Sequence, residues 1–274
     1  MPFSLQERKV ERLAKLVPLY SGSSGNCTFA GSGGRGVLID VGKSCKQTLL
    51  AMDAAGIPPE GIGAIFITHE HIDHVRGLSV LARRLQVPVY LSEGTRRALQ
   101  QGGLADERVQ LHTINGPVQV FDMQLTPFHS PHDSAECMGF RIGWENGKTA
   151  AVATDLGFVS EEVRMALEGC GCVMLESNYD VRMLEAGPYP YYLKQRIKGD
   201  KGHLSNDGCA ETLRQLVRGG TMRFVLAHLS RENNLPELAG MTARCALQDE
   251  GLKERVDFLV AVANRNEPTA PVVF

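Results

Sequence analysis

Short runs of β-branched and apolar residues recur along the whole chain, and they limit the possible fold more than any other feature. Each run has the length of a strand and therefore predicts a buried or half-buried β-strand. The runs lie at 16–19, 37–41, 64–68, 87–91, 140–143, 150–153, 173–175, 224–227 and 258–262. Helical patterns stand between several of them, at 46–55, 78–84, 161–168, 207–217 and 236–248. Strands interspersed with helices predict an α/β (α+β) sandwich.

No repeat, low-complexity tract or long linker divides the chain. We therefore expect a single domain over residues 1–274, with 1–13 as an N-terminal extension before the first strand. The segment 184–202 is expected to be the most irregular part of this domain. The last two helices are each expected to begin just after a capping or helix-starting residue, Asn206 and Pro236.

Composition is that of a folded, soluble protein. Hydrophobic residues make up 43% and charged residues 22% of the chain, which excludes disordered, collagen-like and coiled-coil proteins. The formal net charge is -2, so no overall basic field predicts nucleic-acid binding. Any anionic substrate must be met by a local patch.

The expected location is a reducing cytoplasm without membrane contact. The seven cysteines include no paired CxxC arrangement, so a disulfide framework is not expected. The N-terminal sequence is charged and has no apolar signal region, and no apolar stretch has the length of a membrane span.

Two glycine-rich segments look like nucleotide motifs but lack their context. Gly31, Gly33 and Gly36 satisfy GxGxxG, yet a strand follows where the dinucleotide motif needs a helix, so a hairpin turn is favoured. Residues 21–26, SGSSGN, follow a strand but lack the Gly-Lys-Ser/Thr of a P-loop. This loop could present backbone N–H groups to a phosphate, but it is not a nucleotide switch.

A dense cluster of histidine and aspartate directly follows one of the apolar runs. Residues 69–74 are His-Glu-His-Ile-Asp-His. The zinc-protease motif HExxH is excluded, because Asp73 stands where the second histidine would be. In a loop after a strand, His69 and His71 can point one way while Asp73 and His74 reach a neighbouring position, which suits two adjacent metals. Imidazole with carboxylate favours Zn²⁺, Mn²⁺ or Fe²⁺ over Mg²⁺ or Ca²⁺.

Other candidate ligands follow later strands or turns. Asp155 and His228 each come after a buried run, where α/β scaffolds place their sites. His132 follows a Ser-Pro turn and competes with nearby His129 for the same role. We favour His132 because it is adjacent to Asp133.

These motifs together resemble the metallo-β-lactamase fold superfamily. The resemblance rests on the HxHxDH cluster, on Asp40 before it, and on His132, Asp155 and His228 after it. A narrower resemblance, to the YycJ/WalJ branch described as DNA exonucleases, rests on segments 21–26, 68–74, 176–180, 202–206 and 226–234. HxHxDH alone indicates only a metal hydrolase, whereas the combination is specific.

The resemblance implies a four-layer αββα sandwich with a binuclear metal site between its sheets. The implied ligands are His69, His71 and His132 for one ion and Asp73, His74 and His228 for the other, with Asp155 bridging them. Asp40 would orient a ligating histidine rather than bind a metal. A homodimer is a further expectation.

The expected chemistry is hydrolysis of a phosphodiester by a hydroxide held between two divalent ions. Metal binding lowers the pKa of water to about 7, so no separate strong base is needed. Asp73 would accept or orient the proton. His203 would donate to a phosphate oxygen or to the leaving 3′-oxygen, as in related phosphodiesterases, and a buried structural histidine is the alternative.

Tyrosines and cations crowd the segment before His203. Stacking rings beside cations are typical of a nucleic-acid strand channel, at about 1 to 3 kcal/mol per stacked base. A Tyr-Pro turn before a solvated basic helix is the alternative. The candidate substrate contacts are Tyr179, Lys194, Arg196, Lys198 and Asn206.

The leading hypothesis is a metal-dependent DNA exonuclease that digests duplex DNA from 5′ to 3′, with a part in DNA repair, as the resemblance implies. A phosphodiesterase for a small cyclic or nucleotide-like ester, or another hydrolase of the same fold, is the alternative. The insertion of the RNA-processing β-CASP relatives is absent, because the span between Asp155 and His203 is short. A metal-binding scaffold without turnover is a third hypothesis, and the intact ligand set argues against it.

Overall fold

The computed structural model describes residues 13–274. The expected N-terminal extension, residues 1–13, therefore lies outside the described residues except for Leu13. Within the described range, two seven-stranded sheets pack face to face and helices cover their outer faces. The predicted four-layer αββα sandwich is confirmed.

The first sheet has the spatial order β14-β1-β2-β3-β4-β5-β6. Its strands are β1 (Ala14–Tyr20), β2 (Cys27–Ser32), β3 (Arg35–Ile39), β4 (Ile62–Phe66), β5 (Val89–Leu91), β6 (Leu111–Thr113) and β14 (Val272–Val273). Strands β3 to β6 are parallel, and the remaining pairs are antiparallel.

The second sheet has the order β13-β12-β11-β10-β9-β8-β7. Its strands are β7 (Val118–Val120), β8 (Met123–His129), β9 (Met138–Trp144), β10 (Thr149–Ala153), β11 (Cys172–Glu176), β12 (Arg223–Ala227) and β13 (Leu259–Val262). Here β10 to β13 are parallel and β7 to β10 are antiparallel, so both sheets have the same mixed organisation.

The helices are α1 (Cys45–Ala54), α2 (Ile72–Val75), α3 (Leu78–Leu85), α4 (Glu93–Gln101), α5 (Glu161–Leu167), α6 (Val181–Ala186), α7 (Tyr191–Lys198), α8 (Asn206–Arg218) and α9 (Pro236–Asp249), with a 3₁₀ turn at Pro59–Gly61. Helices α1, α3 and α4 pack on the first sheet, and α5, α8 and α9 pack on the second. None of the helices in residues 13–274 has the length and hydropathy needed to cross a membrane.

The central strands are apolar throughout because both of their faces are buried. In β4, Ala64 and Phe66 belong to the core between the sheets, whereas Ile65 packs on the helical side. In β12, Val225 faces the other sheet and Leu226 faces the helices. The two-residue alternation of a strand is therefore kept inside runs that look uniformly hydrophobic.

Two expectations about the later helices need correction. Ser205, not Asn206, caps α8: its hydroxyl accepts a hydrogen bond from the Gly208 N–H at 3.0 Å, and Asn206 is the first helical residue. The segment 184–202, expected to be irregular, contains the end of α6 and all of α7. No residue of α7 is buried, so this helix has no face in the hydrophobic core, the feature by which a sequence usually reveals a helix. Pro236 begins α9, as predicted.

The predicted glycine hairpin is confirmed. Strands β2 and β3 pair antiparallel, and between them Gly33 and Gly34 have φ angles of 55° and 82°. This left-handed backbone is favoured by glycine. The seven cysteines are all free, as their spacing predicted.

Candidate metal centre

A cavity rich in histidine and aspartate lies where parallel strands of the two sheets end. It has a volume of about 260 Å³. Residues that end a strand or directly follow it lead into the cavity. The strands concerned are β3, β4, β10, β11 and β12. The histidine, aspartate and arginine side chains that line it are His71, Asp73, His132, Asp133, Asp155, Arg196, His203 and His228.

Three residues at this edge have a left-handed backbone. Asp40, Asp155 and His228 have φ angles of 63°, 60° and 53°, and each follows the end of a strand. This conformation is uncommon for residues other than glycine and clusters at functional sites. It turns each chain sharply as it leaves its sheet, so that the side chains converge.

The loop after β4 and the single turn of α2 carry the HxHxDH cluster. His71 is the residue before α2, and Asp73 and His74 lie within it. Asn26 holds this cluster in place, because its backbone N–H donates to the Asp73 carbonyl oxygen at 2.8 Å. A side chain at Gly42 would overlap that same oxygen, so this approach requires glycine.

The first histidine group contains His69, His71 and His132. One ring nitrogen of each lies within 4.8 Å of the others. Nδ1 of His69 is 3.0 Å from the Thr68 hydroxyl, and Nδ1 of His132 is 3.1 Å from the Gly202 carbonyl oxygen. Their Nε2 atoms are buried without a hydrogen-bond partner in the described residues.

The second group contains Asp73, His74 and His228, again with ligand atoms within 4.8 Å of one another. Oδ2 of Asp73 is 3.6 Å from Nε2 of both histidines. Nδ1 of His74 is 2.8 Å from Oδ2 of Asp40, where a residue expected to orient a histidine should lie. Asp40 also accepts hydrogen bonds from the backbone and hydroxyl of Thr68.

Asp155 lies between the two groups. Its Oδ2 is 3.4 Å from Nε2 of His74, and its Oδ1 is 3.8 Å from Nε2 of His132. The side chain is buried, and Oδ2 has no hydrogen-bond partner in the described residues. The structure thus brings all seven predicted ligands together, and it favours His132 over exposed His129.

The donor atoms fit divalent cations. Unpartnered buried polar atoms are costly, at about 1–3 kcal/mol each, and the candidate ligands contribute four: Nε2 of His69, His132 and His228, and Oδ2 of Asp155. Imidazole nitrogens beside carboxylates are the donors that zinc and related metals prefer. A cation bound here would satisfy these atoms together.

Glu176 is a site residue that the sequence reasoning missed. It ends β11 and is fully buried. Its Oε1 is 2.8 Å from Nδ1 of His203 and 2.7 Å from Nδ1 of His228, and its Oε2 accepts the Leu204 N–H. Its position directly after the apolar run 173–175 was the available signal, as for Asp155 and His228.

Asn26 is a second missed residue. Its Nδ2 lies 3.1 Å from Nε2 of His74 and 3.4 Å from Oδ2 of Asp73. The asparagine ends the SGSSGN loop, which the sequence suggested only as a phosphate contact. The loop also supports the second histidine group directly.

Burial and neighbouring charges set the ionisation of the site. Burial lowers the pKa of His74, but Asp155 and Asp40 outweigh this effect and raise it to about 9. The pKa of His228 is raised in the same way by Asp155, Asp73 and Glu176 against the effect of burial. The pKa of Asp73 is lowered, because His228 and His74 outweigh burial, so this carboxylate is ionised.

His203 also has a raised pKa. Burial lowers it, but the charge and hydrogen bond of Glu176 prevail. With Nδ1 held by Glu176, the remaining ring nitrogen is Nε2, and the ring lines the cavity.

Two predicted substrate contacts need correction. Tyr179 is only 6% exposed, so its ring face is not available to a base. Asn206 is 3% exposed, and its amide group bonds to Ser177 and Asn234 inside the protein. Packing of the β11–α8 connection, which local sequence does not reveal, buries both.

The predicted cations lie on α7 but differ in their surroundings. Arg196 lines the cavity and donates from Nε to Asp133 at 2.6 Å. Nζ of Lys194 donates to the Glu185 carbonyl oxygen at 2.7 Å, and Lys198 is 3.3 Å from the Glu185 carboxylate. Both lysines contact Glu185, and neither lines the cavity.

Comparisons with known proteins agree with this geometry. The sequence profile of the beta-lactamase superfamily domain matches residues 35–229. The chain is 36% identical over 236 residues to an exodeoxyribonuclease YycJ of Bacillus anthracis, covering 85% of this chain and 89% of that protein. It is 36% identical over 247 residues to the exodeoxyribonuclease WalJ of Streptococcus pneumoniae, covering 88% and 91% of the two chains.

A solved structure supports the fold. The metallo-β-lactamase fold protein YhfI of Bacillus subtilis superposes with a TM-score of 0.69 at 15% identity, covering 94% of this chain and 99% of that one. Fold, histidine cluster and sequence similarity therefore lead to one conclusion. This chain is a hydrolase of the metallo-β-lactamase superfamily and belongs to its YycJ/WalJ branch.

Proposed function

We propose that this protein is a metal-dependent phosphodiester hydrolase, specifically an exonuclease that digests duplex DNA from 5′ to 3′. One observation carries the proposal: a single cavity unites two histidine and aspartate groups with His203, whose Nδ1 is held 2.8 Å from Glu176. The named activity of the YycJ and WalJ relatives, exodeoxyribonuclease, gives the substrate class.

The proposed cofactors are two divalent ions, Zn²⁺, Mn²⁺ or Fe²⁺. Their ligands would be His69, His71 and His132 for one and Asp73, His74 and His228 for the other, with Asp155 bridging. When bound, such ions lower the pKa of water and stabilise the charge that develops at phosphorus. The remaining steps depend on side chains of this chain.

Asp73 is proposed to accept a hydrogen bond from the attacking water and to orient it. It lines the cavity, and its side chain is 19% exposed, unlike that of buried Asp155. Its lowered pKa keeps it ionised, so it can accept a hydrogen bond from water and orient it.

His203 is the proposed proton donor to the leaving 3′-oxygen. Glu176 fixes the ring through Nδ1, and its charge favours the protonated form. The proton on Nε2 is then available on the cavity side of the ring. General acid catalysis of this kind contributes about 10²–10⁴-fold to a rate.

Helix α7 is the proposed path of the DNA strand. Leu193, Arg196 and Ile197 of this helix line the cavity. Tyr191 and Tyr192 are 76% and 74% exposed on the same helix, so their rings can stack on bases. They replace buried Tyr179 as the aromatic part of the channel.

The test is digestion of linear duplex DNA in the presence of Mn²⁺ or Zn²⁺, with the same strand labelled at its 5′ end in one substrate and its 3′ end in another. We expect immediate release of labelled mononucleotide from the first and a ladder of shortened strands from the second. The Asp73→Ala protein, folded as judged by circular dichroism, should give neither.

Two results would contradict this proposal. A ladder from the 5′-labelled strand with mononucleotide from the 3′-labelled strand would reverse the polarity. Hydrolysis of bis(p-nitrophenyl) phosphate without any digestion of DNA, by protein shown to bind metal, would favour a phosphodiesterase for a small ester.

A further inference from the structure

A second cavity adjoins the metal-centre cavity. It has a volume of about 470 Å³ and is lined by Ser23, Ser24, Arg231, Arg265 and Asn266. Ser23 lines both cavities. No role in the proposed hydrolysis uses these residues.

The boundary between the cavities is built around Arg265. A terminal nitrogen of this side chain donates to the Ser230 carbonyl oxygen at 3.3 Å, and Ser230 lines the first cavity. Gly22 has a φ angle of 142°, and a Cβ there would lie 3.7 Å from Nε of Arg265 and 3.2 Å from the Leu229 carbonyl oxygen. The glycine-rich loop can therefore pack closely against the arginine.

A buried cation supports the same wall. Lys43 is 8% exposed, and its Nζ donates to the Arg265 carbonyl oxygen at 3.1 Å and to Oδ1 of Asn266 at 3.0 Å. These bonds fix the segment that carries both lining residues. The ammonium group of Lys43 also places a positive charge behind the cavity.

The positive charge of the cavity is poorly neutralised. Among the described residues, no carboxylate lies within 4.0 Å of the Arg265 guanidinium. Arg231 has one such neighbour, the adjacent Glu232 at 3.7 Å, and its own side chain is 78% exposed. Two arginines and two serines thus line this cavity, and among the described residues Glu232 is the one carboxylate within 4.0 Å of either guanidinium.

We propose that this second cavity binds the terminal 5′-phosphate of the strand being digested. The inference rests on the exonuclease proposal and specifies its substrate. A terminal phosphate is a monoester with a charge near −2 at neutral pH, about twice that of an internal diester, and guanidinium groups bind such oxygens in pairs. Consecutive phosphates are separated by one nucleoside, so two cavities sharing Ser23 suit the scissile and the terminal phosphate.

The test compares 3′-labelled duplexes whose digested strand ends in a 5′-phosphate or a 5′-hydroxyl. For the Mn²⁺-loaded wild type we expect the first nucleotide to leave the phosphorylated end about tenfold faster, the difference expected from one charge-assisted pair. The rate is read from loss of the full-length strand, because release of a 3′-oxygen leaves a 5′-phosphate on every shortened strand. Arg265→Gln and Arg231→Gln should bring this ratio close to one. Arg223→Gln, which removes the same charge at the opposite end of β12 from His228, should keep the wild-type ratio.

A binding measurement separates this inference from the exonuclease proposal. Isothermal titration compares deoxyadenosine 5′-monophosphate with deoxyadenosine, which lacks the phosphate. We expect the wild type to bind the monophosphate, and Arg265→Gln to weaken its affinity about tenfold. If no DNA is digested but this difference holds, the phosphate cavity stands and the exonuclease proposal falls. Two results would overturn the terminal-phosphate assignment. The 5′-phosphorylated and 5′-hydroxyl duplexes could be digested at equal rates, or Arg265→Gln could slow digestion of both duplexes equally.

Discussion

Glu176 is fully buried, and one of its carboxylate oxygens lies 2.8 Å from the ring Nδ1 of His203, a partly exposed side chain that lines the cavity. Because Oε2 of the same carboxylate accepts the N–H groups of Leu156 and Leu204, the glutamate cannot rotate without breaking backbone hydrogen bonds. The ring of His203 is therefore fixed by the end of β11. This relationship holds a histidine on a loop precisely enough for the proton donation that we propose.

Replacing Glu176 with glutamine should lower the rate of phosphodiester hydrolysis about 10²-fold, because the ring of His203 loses the charge that favours its protonated form. His203→Asn should show a similar loss. The double variant should lose little more than either single one, since the two residues act as a unit. Additive losses would show that Glu176 acts separately from His203. Metal content and thermal unfolding are the controls.

Metal affinity should fall as the pH is lowered from about 9 to 6. His74 and His228 have raised pKa values, His74 to about 9, so the metal-free protein holds protons on rings that must be neutral to bind a metal. Titration with Zn²⁺ in buffers of different ionisation enthalpy should reveal proton release at pH 7. Binding without proton release would contradict the assignment of these rings as ligands.

Neutralising Lys194, Arg196 and Lys198 together as glutamine should lower DNA affinity and flatten its dependence on salt concentration. Removing one cation that binds a phosphate reduces the slope of log K against log salt by about 0.9 for duplex DNA. Fluorescence anisotropy from 50 to 200 mM salt measures this slope. The matched control replaces Arg223, Lys253 and Arg255, exposed cations at the opposite end of β12. An unchanged slope in the first variant would exclude the α7 channel.

Replacing Tyr191 and Tyr192 with alanine should weaken binding of DNA ends by about 1–3 kcal/mol for each base that stacks on a ring. Both side chains are largely exposed, so the free energy of unfolding should change little. Phenylalanine at the same positions should keep most of the affinity, because stacking needs the ring and not the hydroxyl. Equal affinity of the alanine and tyrosine proteins would show that the bases lie elsewhere.

The architecture was largely predictable from local sequence. Runs such as 64–68 are apolar because both faces of the strand are buried, and the structure places β4 at Ile62–Phe66 within two residues of that run. The cluster at 69–74 follows the strand immediately. Side chains so close in sequence are held together by the backbone itself, so their joint role was visible without the fold.

The rest depended on contacts between residues distant in sequence. Glu176 reaches His203 and His228 only because β11 and β12 are neighbours and end at the same edge. Tyr179 and Asn206 looked available to a substrate, but packing between the loop after β11 and the start of α8 buries them. The sequence by itself determined the layers and the histidine cluster through local periodicity. Burial and convergence at the strand ends were decided by the tertiary structure, because they arise from long-range packing.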